Sequence, residues 1–461
     1  MSKYSEADDY IEQVCSYIKF PLIRKKAANE LMDHIDDKVF EYVHLGVDSK
    51  EAGLRAIEEM GAPEDVGRSI NNLYTPQINK IFIAAIIVML TVGLVLRCHM
   101  DVINHELADS FFVNSIQYAA CIVILLVITF SRFSRAREMR LTVLIFGGII
   151  IGACIVTQVL NLSWMNHYIR NSLVIAAIPI YITVFYISGK QGWRGLLLSS
   201  VIFILLNFIL FNTTIIRANS SMYFVIMLTA VAYPLLRMAG SDWWHLGRNR
   251  SILFCGILLS AVLCSVLIWG SKRDAANNSY VNIYTDVVPE EFDTEGDPSV
   301  LLIKDNNEIV RSLIENANWV GQSKYIRSKE QLNNILPQYY QSDFIWAFLI
   351  VKWGILPTCI VIVVLFAVYI ELLKCVHGER NSFGKYVAIG CMLGLFMQCI
   401  VYTFANLGYG YGLSVSYPFI SDGHISMIMN TILAGIISNV LRNNRLMVEE
   451  PFFLSRSQCM E

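Results

Sequence analysis

Residues 344–372 read FIWAFLIVKWGILPTCIVIVVLFAVYIEL, an almost unbroken apolar run that is long enough to cross a lipid bilayer. Asp343 stands directly before this run, where a membrane span would meet the surface. An ionisable side chain at the edge of hydrocarbon is costly to desolvate, and it usually has a function there. The alternative is that Asp343 caps the first turn of the span, because Asp suits both the N-cap position and the helix dipole. The residues on either side leave both interpretations open.

The composition of the whole chain is that of an integral membrane protein. Of its 461 residues, 55% are hydrophobic and 16% are charged, whereas soluble domains carry about 25% charged residues. The net charge of -2 provides no basic field that could collect phosphates, so nucleic acid is excluded as a partner. Most of the cysteines lie inside apolar runs and predict no disulfide framework. The lipid bilayer is therefore the first predicted partner.

Apolar windows of about 20 residues predict ten transmembrane helices. They cover residues 80–97, 114–131, 141–160, 171–188, 195–212, 221–237, 251–270, 344–372, 384–405 and 424–441. Lys and Arg are concentrated in alternate connections, most densely in the connection 131–141. The positive-inside rule places these connections, and with them both termini, in the cytoplasm. The predicted fold is all-α, a polytopic membrane protein with about ten transmembrane helices preceded by a small cytoplasmic helical domain.

Three parts of the chain are predicted on this basis. Residues 1–76 form the cytoplasmic helical domain, residues 77–446 the ten-span membrane domain, and residues 447–461 a cytoplasmic tail. The long connection 271–342 then faces outward. Its acidic first half lacks the spacing of a metal site, and its second half, from Glu308 to Gln341, predicts short helices.

Helix signals are clear in the first domain. Asp48, with Glu51 three residues later, predicts a capping box at the start of a helix that Gly61 closes, and Pro63 opens the next helix. The stretch 34–37, HIDD, is expected to be exposed helix surface. Four apolar residues recur at helical spacing near the start of the chain and are expected in the core: Tyr10, Ile11, Val14 and Ile18.

Three C-terminal stretches together resemble one known family. Residues 336–348, LPQYYQSDFIWAF, are similar to the "LPE-x-x-TDFIFA" signature of the FtsW/RodA/SpoVE proteins, also called SEDS proteins. Residues 406–413, NLGYGYGL, resemble the "N-x-G-x-x-x-GL" turn of that family, and residues 418–426, PFISDGHIS, resemble its "PFISYGGSS" loop. Residues 319–322, WVGQ, resemble a "W-L-G-x-G" segment in the same large loop.

The resemblance implies a peptidoglycan glycosyltransferase that polymerises lipid II at the outer face of the bacterial cytoplasmic membrane, together with a class B penicillin-binding protein. It assigns the catalytic carboxylate to Asp343, which would deprotonate the acceptor hydroxyl as a general base. No cofactor is implied, although a divalent cation could offset the charge of the pyrophosphate leaving group. The candidates for lining the substrate cavity are Trp319, Pro337, Ser342, Asn406, Pro418, Ser421, His424 and Ser426.

Two other functions stay open at this point. Residues 1–76 resemble the HAAS or permease-prefix domain, whose role is thought to be regulatory, and the positions of a family Glu-Glu pair read Val351-Lys352. These features are compatible with a non-catalytic membrane scaffold or regulator of cell-wall synthesis. A lipid transporter is disfavoured, because the first seven predicted spans contain few central charges.

Overall fold

The computed structural model describes residues 5–104, 107–131, 145, 147–148, 152, 167–213, 220–281, 306–323, 343–378, 382–409, 415–421 and 424–443. Every regular element within these residues is helical, which confirms the predicted all-α class. The chain divides into two compact units: the residues up to Ile78, together with the segment that begins at Arg442, form the first, and Asn79–Leu441 forms the second.

The first unit is a four-helix arrangement with its own apolar core. Its helices are α1 (Ser5–Ser16), α2 (Pro21–His44), α3 (Ser49–Met60) and α4 (Pro63–Leu73). The four apolar residues predicted near the start of the chain are all buried, at Tyr10, Ile11, Val14 and Ile18. The stretch 34–37 exposes His34, Asp36 and Asp37, as predicted for a helix surface.

The predicted helix signals act largely as expected in this unit. The carboxylate of Asp48 accepts a hydrogen bond of 3.2 Å from the backbone amide of Lys50 at the start of α3. Gly61 ends α3 with a φ of 85°, a conformation that favours glycine. The capping box is incomplete, because Glu51 pairs with Arg55 at 2.7 Å along the same helix.

The second unit contains the apolar helices. They are α5 (Lys80–Asn104), α6 (Leu107–Phe130), α7 (His167–Ala176), α8 (Ile178–Ser188), α9 (Gly192–Thr213), α10 (Ser220–Gly240) and α11 (Arg248–Val281). After a short helix of the long connection that follows α11, namely α12 (Asn306–Glu315), come α13 (Ile345–Trp353), α14 (Ile355–His377), α15 (Ser382–Phe404) and α16 (His424–Asn443). Helix α11 runs to Val281, beyond the predicted end of its span at 270, and α12 confirms the prediction of a helix after Glu308 in outline.

Eight stretches of the described chain are long and apolar enough to span a membrane. One of them, Ser172–Leu210, has 39 residues and would measure about 58 Å as a straight helix, roughly twice the hydrocarbon thickness. A tight turn at Gly189–Gln191 folds α9 back against α8, so this stretch contains the fourth and fifth predicted spans. The third predicted span, 141–160, lies almost wholly outside the described residues, and the number ten stays a prediction.

The predicted span 344–372 is confirmed from Ile355 onward, where an apolar helix is long enough to cross a membrane, but its prediction as one continuous helix from residue 344 is wrong. The helix is interrupted at Gly354, which has φ 100° and ψ 170° and separates the nine-residue helix α13 from α14. A helix of nine residues is about 13 Å long and covers less than half of the hydrocarbon thickness. Residues 344–351 are all buried, so this short helix is enclosed by protein. Such a break at membrane depth is tolerated where protein surrounds it.

Candidate functional site

Asp343 lies two residues before the start of the short helix α13 and is buried, with 7% of its surface exposed. The N-cap position of α13 belongs to Phe344, so the interpretation of Asp343 as the cap of a long span is wrong. The carboxylate instead stands at the end of a short, enclosed helix. A functional role for Asp343 stays a prediction.

Two side chains from α15 and the turn after it satisfy the first amides of α13. The Ile345 amide donates to the Tyr402 hydroxyl at 3.0 Å. The amides of Trp346 and Ala347 donate to Oδ1 of Asn406 at 3.0 and 3.4 Å. These amides would otherwise be left without partners at a buried helix terminus. Tyr402 and Asn406 therefore cap α13 from a distant part of the chain.

The other end of the same carboxamide holds the backbone of Asp343. Nδ2 of Asn406 donates to the carbonyl of Asp343 at 2.8 Å and to the carbonyl of Tyr402 at 3.0 Å. Asn406 has no exposed surface. Its side chain thus forms hydrogen bonds with the backbone on both sides of Phe344.

Asn406 belongs to a wide turn, Ala405–Tyr409, which continues α15. Gly408 in this turn has a φ of 78°, and a Cβ there would lie 2.8 Å from the carbonyl oxygen of Asn307 in α12. Nε of Arg311, also in α12, donates to the Gly408 carbonyl at 2.7 Å. The Arg311 guanidinium lies 4.9 Å from the ring centre of Tyr409. Helix α12 is therefore attached to the turn that carries Asn406.

An aromatic cluster connects α13 to the segment 415–421. The ring centre of Trp346 lies 5.1 Å from that of Tyr417 and 6.1 Å from that of Tyr402, both in edge-to-face geometry. All residues of the segment 415–421 are buried, Pro418 and Ser421 included, and the Ser421 hydroxyl donates to the Tyr417 carbonyl at 3.2 Å. Aromatic pairs of this geometry contribute about 0.5–1.5 kcal/mol beyond area burial.

The segment 415–421 is also held to α16. The hydroxyls of Ser416 and Ser426 share a hydrogen bond, and both residues are buried. Phe419 has a φ of 69°, which costs energy for a residue with a side chain and persists because the buried surroundings enforce it. His424 is the first residue of α16, and its side chain is outside the described part of the chain, as are Pro337 and Ser342.

Trp319 lies at the opposite end of α13. The segment 318–321 lies beside the break at Gly354, where the Gly321 amide donates to the Trp353 carbonyl at 2.7 Å. The Ile355 and Leu356 amides donate to the carbonyls of Asn318 and Trp319, each at 3.0 Å. The Trp319 side chain itself is 73% exposed. The structure therefore brings Asn406 to Asp343 and places Trp319 about 13 Å along the helix from it.

Two residues of this arrangement were not singled out from the sequence, namely Tyr402 and Arg311. Tyr402 precedes Asn406 by four residues, which puts both on one helix face and is a signal that could have pointed to it. Nothing in the sequence around Arg311 indicates its partner. Within the described ranges, no group of three or more His, Cys, Asp or Glu side chains could hold a metal ion, and the expectation about a divalent cation stays untested.

Comparison with known proteins agrees with this architecture. The FtsW/RodA/SpoVE family model, described as "Cell cycle protein", matches residues 77–446. Over 212 residues the chain is 25% identical to the "Probable peptidoglycan glycosyltransferase FtsW" of Lactococcus lactis subsp. lactis, a match covering 44% of this chain and 46% of that protein. Over 145 residues it is 32% identical to the "Peptidoglycan glycosyltransferase MrdB" of Helicobacter pylori, covering 30% and 36%. The chain thus matches less than half the length of these curated relatives.

A solved structure shares the fold. The chain aligns with a protein from "Structural coordination of polymerization and crosslinking by a peptidoglycan synthase complex" with a TM-score of 0.51, over 80% of this chain and 98% of that one. The identity in this alignment is 13%, so the likeness concerns the fold alone. The family model covers most of the chain, including α13, Asp343 and the turn that holds it. This chain belongs to the FtsW/RodA/SpoVE family.

Proposed function

We propose that this protein is a peptidoglycan glycosyltransferase that polymerises lipid II at the outer face of the bacterial cytoplasmic membrane. The observation that carries the proposal is the placement of Asp343, a buried carboxylate at the end of a short helix inside the membrane domain. The matched relatives are named as peptidoglycan glycosyltransferases, which supports the same activity. A multi-pass membrane protein with both termini in the cytoplasm would present the connection containing α12 to the outside, where the polymer is assembled.

The proposed role of Asp343 is that of a general base. Its carboxylate takes the proton of the acceptor sugar hydroxyl while that oxygen forms a bond to the anomeric carbon of the donor sugar. The bond between this carbon and the lipid pyrophosphate breaks, and its electron pair leaves with the pyrophosphate. Attack and departure on opposite faces invert the configuration. The leaving group is stable as an anion, so the step needs one base and little acid assistance.

The surroundings of Asp343 suit such a role because they fix its backbone. Hydrogen bonds from Asn406 and Tyr402 hold the carbonyl of Asp343 and the amides that follow it. A base acts efficiently only when it is held within hydrogen-bonding distance of the proton that it removes. The aromatic contact between Trp346 and Tyr417 also packs the segment 415–421 against α13.

A class B penicillin-binding protein is the proposed partner. The solved structure with the same fold comes from a peptidoglycan synthase complex, which supports a partner that works in the same synthesis. In this proposal the donor and acceptor are undecaprenyl-linked lipid II or the growing strand, and they reach the site from the outer leaflet.

The test is polymerisation of labelled lipid II by the purified full chain in lipid nanodiscs, with and without the cognate penicillin-binding protein. We expect Asp343→Ala and Asp343→Asn to lower the rate by about 10²–10⁴-fold. Glu371→Gln is the matched control, because Glu371 is an exposed carboxylate of α14 paired with Lys374 at 2.6 Å. Activity that survives both Asp343 substitutions would exclude this residue as the base. A wild type that makes no polymer even with its partner would favour the scaffold or regulator.

A further inference from the structure

We infer that Asn406 is the positioning residue for Asp343, and that Arg311 attaches this positioning residue to the outer helix α12. The inference rests on the proposed function, because it concerns how the proposed base is held. It adds a role for two residues that do not themselves contact the reacting atoms.

Both polar groups of the Asn406 carboxamide form hydrogen bonds with backbone close to Asp343. Oδ1 accepts from two amides of α13, and Nδ2 donates to the carbonyl of Asp343 and to that of Tyr402. An amide is the one side chain of this size that offers an acceptor and two donors together. A carboxylate in its place could keep the α13 amides but could not donate to Asp343. Alanine would lose both functions.

Arg311 extends this connection to the outside of the membrane domain. Its Nε donates to the carbonyl of Gly408, two residues after Asn406, and its guanidinium lies over the ring of Tyr409. Arginine combines a directed donor with a planar cation over an aromatic ring, and lysine reproduces this combination poorly. Arg311 therefore attaches α12 to the turn that carries Asn406.

The hydrogen bonds are tested without reference to activity by amide hydrogen exchange of the full chain in nanodiscs. In Asn406→Ala the peptide containing Trp346 and Ala347 should exchange about tenfold faster or more, because buried amides lose their acceptor. In Asn406→Asp the same peptide should stay slow, since a carboxylate at a helix N-terminus accepts from these amides. Unchanged exchange in Asn406→Ala would overturn the inferred arrangement.

Asn439→Ala is the matched control for general destabilisation. Asn439 is a buried asparagine of α16 whose Nδ2 also donates to backbone, at 2.8 Å to the carbonyl of Ile128, and it is not attached to Asp343. Its replacement should leave the exchange of the Trp346 peptide unchanged. Faster exchange of that peptide in this control as well would show a global effect and overturn the inference.

The consequence for catalysis is measured with lipid II as the substrate. We expect kcat to fall about 100-fold in both Asn406→Ala and Asn406→Asp, with KM nearly unchanged, because misplacement of the base affects the chemical step. Arg311→Lys should lower kcat by a smaller factor, and Asn439→Ala should keep the wild-type kcat per folded molecule. Wild-type kcat in Asn406→Asp would overturn the positioning role. A wild type without activity would refute the proposed function and the catalytic role together, while the exchange data would still report the hydrogen bonds.

Discussion

The break between α13 and α14 depends on one glycine, and Gly354→Ala tests this dependence. Gly354 has φ 100° and ψ 170°, a region that is essentially restricted to glycine. A Cβ at this position would lie 2.8 Å from the carbonyl oxygen of Trp319 and 2.8 Å from Cα of Val320. Both of these atoms belong to backbone, so the contact cannot be relieved by rotation of a side chain.

Two costs determine the expected destabilisation. The unfavourable backbone conformation costs about 1–3 kcal/mol for a residue other than glycine. Displacement of the segment 318–321 weakens its hydrogen bonds with Trp353, Ile355 and Leu356, each worth about 0.5–1.5 kcal/mol. Together these costs amount to about 2.5–7.5 kcal/mol if all three bonds are lost.

The assay is thermal unfolding of the full chain in nanodiscs, combined with hydrogen exchange at Ile355 and Leu356. We expect the Tm of Gly354→Ala to fall by about 5 °C or more, with faster exchange at these two amides. Gly256→Ala is the matched control, because Gly256 lies within α11 and its Cβ would meet no atom within 4 Å. Its Tm should equal or slightly exceed that of the wild type, since alanine is the better helix former. Equal Tm values for the two variants would refute the close contact at Gly354.

Three further predictions concern other contacts. Asn439→Ala leaves carbonyls at the end of α6 without their donor and should cost about 1–3 kcal/mol, measured as a lower Tm; an unchanged Tm would contradict this role. Asp48→Ala removes the N-cap of α3 and should cost about 1 kcal/mol, read from faster exchange in α3 but not in α14. The Tyr42 hydroxyl and Lys38 lower the pKa of Glu59 below its ordinary value of 4.5, so its stabilising contribution is complete above that value and disappears as the pH falls through the lowered pKa. The Tm difference between the wild type and Glu59→Gln should therefore be larger at pH 7 than at pH 3, and the opposite order would contradict the sign.

The local features of the chain could be predicted from the sequence because they depend on neighbouring residues. The cap at Asp48, the end of α3 at Gly61 and the start of α4 at Pro63 are properties of a few consecutive residues, and the structure shows all three. The apolar stretches could likewise be predicted as membrane spans, since about 20 consecutive apolar residues suffice to cross the hydrocarbon core. The exposure of His34 and its acidic neighbours followed from helical periodicity in the same way.

The division of the stretch 344–372 could not be predicted from hydropathy, because a single glycine barely lowers the mean hydropathy of so apolar a stretch and glycine is common in membrane helices. Pro357 does indicate a helix start near Ile355, because proline is tolerated in the first turn of a helix, but a hydropathy profile does not register this signal. The break is completed by the carbonyls of Asn318 and Trp319, which come from the long connection between α11 and α13. Only the folded chain brings these partners to the new helix terminus.

The sequence by itself determined that the chain is a helical membrane protein and that Asp343 is an ionisable group at the edge of an apolar stretch. The tertiary structure decided that this stretch begins as a short, buried helix and that Asn406, 63 residues away, holds the backbone of Asp343. The physical reason is the demand of a buried helix terminus for hydrogen-bond partners. Hydropathy shows where such a terminus would be costly, and only the packing of α12, α13 and α15 shows which side chains satisfy it.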